Sequence, residues 1–207
     1  MTKQEKCRCT WCGDDPLYCD YHDQEWGVPL YNEQKLFEFL VLEAAQAGLS
    51  WITVLRKREN YRKAFDNFDP EKIARYSPAK IEKLMQNEGI IRNRLKIESA
   101  IKNAKAFLAM KKDGENFSDF VWSFVNHKPI QNKLRGMQDA VASTPESDAM
   151  SKALKKKGFN FVGTTICYAY MQACGMVNDH FVTCHRHKEC AALSKDETTK
   201  TTKRAIA

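Results

Sequence analysis

The 207-residue chain has no apolar run approaching the roughly 18–20 residues that a membrane-spanning helix needs. No membrane-spanning helix is expected in it. Residues Met1 to Cys7 are polar and charged, without the apolar stretch of a secretory signal. No strong alternation of apolar and polar residues marks a strand, no internal repeat recurs, and nothing divides the middle of the chain into independent domains. These absences lead us to expect a soluble, cytoplasmic, all-α protein, built as one compact unit over residues 1–190; a monomer is expected as well. The stretch 191–207 is rich in Lys and Thr and is expected to be a disordered polar tail.

A sizeable core is available, because 43% of the residues are hydrophobic. Helices are predicted over 33–47, 51–66, 79–87, 93–112, 115–124, 147–157 and 162–175. In the fourth, Ile97, Ile101, Ala104 and Leu108 share one face, while Lys96, Glu98, Lys102 and Lys105 occupy the other. Ser77-Pro78 is a start signal for the third. Lys155, Lys156 and Lys157 before Gly158 read as a helix end with cations at its negative pole. Residues 128–147, broken by Pro129, Gly136 and Pro145, read as a long connection.

Thirty-three basic side chains against 26 acidic ones give a net charge of +7, which suits an anionic partner such as nucleic acid. The eight cysteines cluster at the two ends: Cys7, Cys9, Cys12 and Cys19, then Cys167, Cys174, Cys184 and Cys190. In a chain without a signal peptide such clusters point to metal before disulfides. Cys9 and His22 near the start, with His180 and Cys184 near the end, offer two thiolates and two imidazoles, a set that suits a closed tetrahedral zinc. Cys7, Cys12, His185, His187 and Cys190 compete for the same role, and spacing does not choose among them. Cys167 and Cys174 lie in an apolar helix and read as core.

Glu43 sits deep in the apolar run Leu36–Ala47, whereas Glu38 falls nearer its edge. A buried carboxylate needs either an ion-pair partner, such as an Arg, or a ligand to meet. Trp11, Tyr21, Trp26 and Trp51 stand near it in sequence, and a flat base needs stacking faces as well as a polar contact. Residues 79–112 read as helix, tight turn, helix, with Gly89 in the turn and Arg92, Arg94 and Lys96 after it. A helix-hairpin-helix holds a DNA phosphate through backbone N–H groups, with nearby cations adding counter-charge. The second glycine of that motif is Ile91 here, so an ordinary pair of antiparallel helices also fits.

The ordered segments Asp15-Pro16-Leu17-Tyr18, Tyr21-His22-Asp23-Gln24-Glu25-Trp26-Gly27-Val28-Pro29, Gln46-Ala47-Gly48-Leu49-Ser50-Trp51, Phe120-Val121-Trp122-Ser123-Phe124 and Gly163-Thr164-Thr165-Ile166-Cys167-Tyr168 resemble the DNA-3-methyladenine glycosylase I family over residues 9–184. The resemblance implies the helix-hairpin-helix glycosylase fold and a monofunctional repair enzyme. That enzyme flips 3-methyladenine out of alkylated double-stranded DNA and releases it as the free base. It implies one structural zinc per chain on Cys9, His22, His180 and Cys184. Glu43 recognises the base, Tyr21 and Trp51 line or stack on it, and Trp11 and Tyr18 stand nearby. The resemblance also implies that Leu49, following Gly48, is pushed toward the gap left by the flipped base, while the hairpin reading leads us to expect Gly89, Arg92 and Arg94 at the DNA backbone. Ala169 stands where relatives can carry a serine. The family lacks the water-activating Asp of many superfamily relatives. Two rivals are a zinc-stapled nucleic-acid-binding module without catalysis and a strand-cleaving glycosylase; no lysine here sits in a recognisable nucleophile motif.

Overall fold

Four of the six prolines follow a capping residue and open a helix: Asp15-Pro16, Asp69-Pro70, Ser77-Pro78 and Thr144-Pro145. Proline suits the first helical position because its missing N–H would find no partner there, while the capping oxygen takes an N–H further in. In the computed structural model, which describes residues 6–193, the Asp15, Asp69, Ser77 and Thr144 side chains all accept such bonds. Asn32, Asn93 and Asn116 cap three further helices in the same way.

The helices are α1 (Pro16–Gln24), α2 (Glu33–Gln46), α3 (Trp51–Leu55), α4 (Arg58–Ala64), α5 (Pro70–Ile73), α6 (Pro78–Met85), α7 (Arg94–Lys112), α8 (Phe117–Ser123), α9 (Pro145–Lys156) and α10 (Thr164–Ala173). All seven expected helices are present. The expected 51–66 helix is broken at Arg56-Lys57 into α3 and α4, and it ends before the left-handed residues Asp66, Asn67 and Phe68. The periodicity missed α1 and α5. It also missed two short parallel strands, β1 (Ile130–Gln131) and β2 (Val177–Asn178), which pair Ile130 with Val177 and Gln131 with Asn178. Two residues cannot display an alternating pattern. The protein is mostly helical. Residues 185–193 are helical too, so the expected tail does not begin at Ala191; its remainder, 194–207, lies outside the described residues. Among the described residues no helix is long and apolar enough to cross a membrane.

Contacts gather the chain into two units. Among the described residues, the first takes 6–30, 125–142 and 171–193, so early and late segments of the chain come together within it. It holds α1, both strands and the helical residues 185–193. The second takes Tyr31–Phe124 and Ser143–Tyr170. Its core includes a run of buried rings: Phe37 lies 5.3 Å from Phe107, Phe107 5.1 Å from Phe117, and Phe117 5.8 Å from Phe159. Because both units draw on separated stretches, no single linker marks their boundary in the sequence.

Candidate functional site

In the first unit, Cys9, His22, His180 and Cys184 are all buried, and their ligand atoms lie within 4.8 Å of one another. Cys9 Sγ is 3.6 Å from His180 Nδ1, Cys184 Sγ is 3.6 Å from the same nitrogen, and Cys184 Sγ is 3.5 Å from His22 Nε2. Zinc bonds of about 2.3 Å to sulfur and about 2.05 Å to nitrogen, at a tetrahedral angle, set sulfur and nitrogen roughly 3.55 Å apart. The donor set fits that ion in type and in spacing.

The far nitrogen of each imidazole is also engaged. His22 Nδ1 is 2.8 Å from Asp23 Oδ1, and His180 Nε2 is 3.0 Å from the Trp26 carbonyl. When those nitrogens carry the protons, His22 Nε2 and His180 Nδ1 turn lone pairs toward the thiols. Burial opposes ionisation of Asp23, but hydrogen bonds from Arg8 and His22 outweigh it and hold the carboxyl well below its usual range. The Phe181 N–H donates to Cys9 Sγ and the Arg186 N–H to Cys184 Sγ; each bond favours the thiolate of its own sulfur, although the hydrogen bond with Cys184 and burial together hold the Cys9 thiol above its ordinary range. Gly27 lies against this centre at φ +76°, and a Cβ there would come within 3.0 Å of the His180 ring.

Three of the five competing residues are engaged elsewhere. Cys12 Sγ donates to the Cys9 carbonyl, His185 Nδ1 meets the Cys7 carbonyl, and His187 Nε2 meets the Asn132 carbonyl. Cys167 and Cys174 are fully buried, as expected of core. Trp11 packs edge-on to Tyr18 at 5.0 Å and to Trp26 at 4.8 Å, beside the metal-type cluster. Tyr21, on α1, is buried.

In the second unit, helix α2 carries two carboxylates that are each 3% exposed, and they differ completely in company. Glu38 takes bonds from Lys35 Nζ at 2.8 Å and Arg62 Nε at 2.7 Å. It is therefore a structural ion pair and not the edge residue expected. Glu43 receives no hydrogen bond or ion pair from any described residue, and burial alone pushes its pKa up to about 8. The Arg partner that would have made it structural is absent among the described residues. Trp51 opens α3 with its ring nearly parallel to that of Phe39, centroids 6.4 Å apart.

Between them runs a short turn. Gly48 has φ +77°, a left-handed conformation that glycine adopts freely. Leu49 is 39% exposed, and its carbonyl accepts from Gln46 Nε2 at 2.7 Å. Lys96, expected to supply counter-charge beside Arg92 and Arg94, does something else. Its ammonium donates to the Ala45 and Ala47 carbonyls at 2.8 and 2.7 Å, because those groups end α2 without helical partners.

Helices α6 and α7 enclose the tight turn around Gly89, where a Cβ would come within 2.9 Å of Asn60 Cβ. Close approach, not unusual backbone, accounts for this glycine. Two turn N–H groups are taken internally: Gly89 donates to Asn87 Oδ1 and Ile91 to the Tyr61 hydroxyl. Those two are not spare donors for a phosphate. The first N–H groups of α7, at Arg94 and Leu95, have no helical acceptor. Arg92 pairs with Glu88 at 3.6 Å and Arg94 with Glu82 at 2.7 Å, both on the exposed surface. Such exposed pairs contribute little and exchange readily.

The methyladenine glycosylase family model matches residues 11–187. The chain belongs to the methyladenine glycosylase family. It is 58% identical over 177 residues to the DNA-3-methyladenine glycosylase of Haemophilus influenzae, covering 86% of this chain and 96% of that protein. It is 59% identical over 177 residues to DNA-3-methyladenine glycosylase 1 of Escherichia coli K12, covering 86% of this chain and 95% of that one. A solved variant of 3-methyladenine DNA glycosylase I, in complex with 3-methyladenine, matches with a TM-score of 0.83 at 36% identity, over 86% of this chain and 96% of that chain.

Within this methyladenine glycosylase, the four expected ligands come together, and Glu43 and Trp51 share the second unit. Trp11, Tyr18 and Tyr21 belong to the first. Ala169 is half-buried on α10. The sequence reading did not single out Asp23, Gly27 or the true role of Lys96. Asp23 adjoins His22 in sequence, which was a usable sign; the Lys96 contact bridges 49 and 51 positions and had none.

Proposed function

We propose that this protein is a base-excision repair glycosylase that hydrolytically releases 3-methyladenine from alkylated double-stranded DNA, in the cytoplasm and as a monomer. The observation that carries the reading is Glu43, buried on α2 with no partner among the described residues, in a chain of the methyladenine glycosylase family. The named relatives and the complex with 3-methyladenine support the substrate.

Methylation at N3 leaves the adenine cationic within the nucleotide. Breaking the C1′–N9 bond sends its electron pair to the base, which departs neutral. Water supplies the new C1′–O bond and loses one proton. The leaving group needs no protonation, so the protein's task is to select and hold the charged base in an extruded position. Burial makes the Glu43 carboxylate costly when alone. A cationic base beside it restores the ionised form and donates a charge-assisted hydrogen bond to the carboxylate, whereas neutral adenine offers no such compensation. Trp51 and Tyr21 supply ring faces, and electron-rich rings attract a cationic base more than a neutral one. The family resemblance gives Trp11, whose buried indole N–H has no acceptor among the described residues, and Tyr18 a part in base binding as well.

For DNA, Leu49 on the Gly48 turn fills the gap left by the flipped base. The α6–α7 hairpin binds a backbone phosphate at the start of α7, with Gly89 shaping the turn and Arg92 and Arg94 exchanging Glu88 and Glu82 for phosphates. Cys9, His22, His180 and Cys184 would hold one zinc per chain. With four protein ligands the ion would have no open position, so it would tie the Cys9–His22 and His180–Cys184 segments together and take no part in the reaction.

The experiment is a cleavage assay on methylated duplex. Abasic sites should accumulate in strands that stay intact until alkali is added. Borohydride should trap no protein–DNA adduct. Strand scission with a trapped adduct would overturn the monofunctional reading, and tight binding without abasic sites would favour a binding module.

A further inference from the structure

Lysine at the start of a DNA-facing helix ordinarily turns its charge outward, yet Lys96 turns inward. Its ammonium lies 2.8 Å from the Ala45 carbonyl and 2.7 Å from the Ala47 carbonyl, and burial lowers its pKa. These two acceptors flank the exit of α2. Gly48, next in the chain, meets nothing within 4 Å of where a Cβ would stand, so packing does not fix the turn there. What holds the turn is hydrogen bonding. The Leu49 N–H donates to the Gln46 carbonyl at 2.7 Å, Gln46 Nε2 returns a bond to the Leu49 carbonyl, and Lys96 fixes the carbonyls on the approach.

The first two bonds are local and travel with the turn. Lys96 is different because it belongs to the first turn of α7, where the Asn93 side chain caps the Lys96 N–H. The hairpin before it is braced as well: Lys57 Nζ donates to the Glu88 carbonyl at 2.6 Å, and the Ile91 N–H donates to the Tyr61 hydroxyl at 3.1 Å. One residue thus has its backbone on the proposed phosphate-binding helix start and its ammonium on the proposed wedge turn.

We propose that Lys96 is a positioning residue that fixes the Gly48–Leu49 turn relative to the hairpin, so that docking on the DNA backbone places Leu49 at the lesion. This rests on the glycosylase reading given above. A mere helix cap would serve stability alone. A positioning residue also sets how efficiently bound DNA proceeds to an extruded base.

The test compares wild type with Lys96→Met, which keeps length and loses every donor, and Lys96→Arg, which keeps charge and donors. Single-turnover release of 3-methyladenine is measured with duplex affinity, free 3-methyladenine affinity and the fluorescence of a 2-aminopurine beside the lesion. Lys96→Met should slow release roughly 10- to 100-fold and reduce the fluorescence change, the range expected when a group is displaced by about 1 Å. Duplex and free-base affinities should stay within about threefold, and Lys96→Arg should recover most of the rate. Wild-type release and fluorescence in Lys96→Met, with only a lower Tm, would overturn the proposal. So would a loss of free-base affinity equal to the loss of rate, which would mean a damaged pocket. Should Lys96→Met fail to fold, Lys96→Gln, whose shorter, uncharged side chain does not reach both the Ala45 and Ala47 carbonyls, replaces it under the same expectations. Wild-type protein that binds methylated duplex and releases nothing would fault the glycosylase reading before any variant is compared.

Discussion

Replacing Glu43 by Gln keeps the shape of the side chain and removes its charge. The folded-state pKa is about 8 against an ordinary value of 4.5, so between those pH values the folded protein holds a proton that the unfolded chain releases. Stability is full below about pH 4.5 and falls as pH rises toward 8, at about 1.36 kcal/mol per pH unit. At pH 7 the wild type has lost about 3 kcal/mol in this way, and Gln has nothing to titrate. Glu43→Gln should therefore match the wild type near pH 4 and exceed its Tm by roughly 6–12 °C at pH 7, measured by calorimetry across the pH range. Function should move the other way. Loss of a charge-assisted contact costs about 1.5–3 kcal/mol, so affinity for free 3-methyladenine and the single-turnover excision rate should fall by roughly 10- to 150-fold. Non-specific duplex affinity should barely change. A more stable but impaired variant is what a carboxylate kept for its ligand predicts. Wild-type excision by Glu43→Gln, or a variant less stable at pH 7, would refute the reasoning and make Glu43 a structural residue.

Other substitutions separate the remaining parts. Elemental analysis should find one zinc per chain, and Cys184→Ala should lose the metal and lower Tm while leaving the choice of released base unchanged; metal-free protein of full stability would refute the assignment. Arg92→Ala with Arg94→Ala should weaken duplex binding and flatten its dependence on salt, since each lost phosphate contact removes about 0.9 from the slope. Unchanged binding would leave the hairpin merely structural. Trp51→Ala should weaken free-base binding through lost stacking and also lower Tm through lost packing against Phe39, read by titration and calorimetry; unchanged base affinity would remove Trp51 from the pocket.

Much of the fold was legible because most helices obey local rules. The apolar stripe of α7 and the Ser77-Pro78 start of α6 needed no tertiary information. The same rule was available at Asp15-Pro16 and Asp69-Pro70, and α1 and α5 were missed by following apolar periodicity alone. Their short apolar faces are too brief to show a period. The break at Arg56-Lys57 carries no Gly or Pro, so nothing local announced it. Four metal-type ligands were nameable from ligand chemistry and resemblance together, but their selection over Cys12, His185 and His187 depends on atoms brought together across some 170 positions. Glu38 and Glu43 share one apolar helix, and the sequence did not reveal which had a cation beside it. Arg62, 24 positions on, decides that for Glu38. Lys96 was misread for the same reason: its partners lie on a distant helix end.

The central claim is the excision of one cationic base, and its most direct test is the identity of what leaves the DNA. Duplex DNA treated with a methylating agent is incubated with the protein, the polymer is precipitated, and the supernatant is resolved by chromatography with mass detection. The account predicts free 3-methyladenine, released in proportion to enzyme, with unmodified adenine left in the strand. A supernatant without 3-methyladenine, from protein that is folded and binds the duplex, would contradict it.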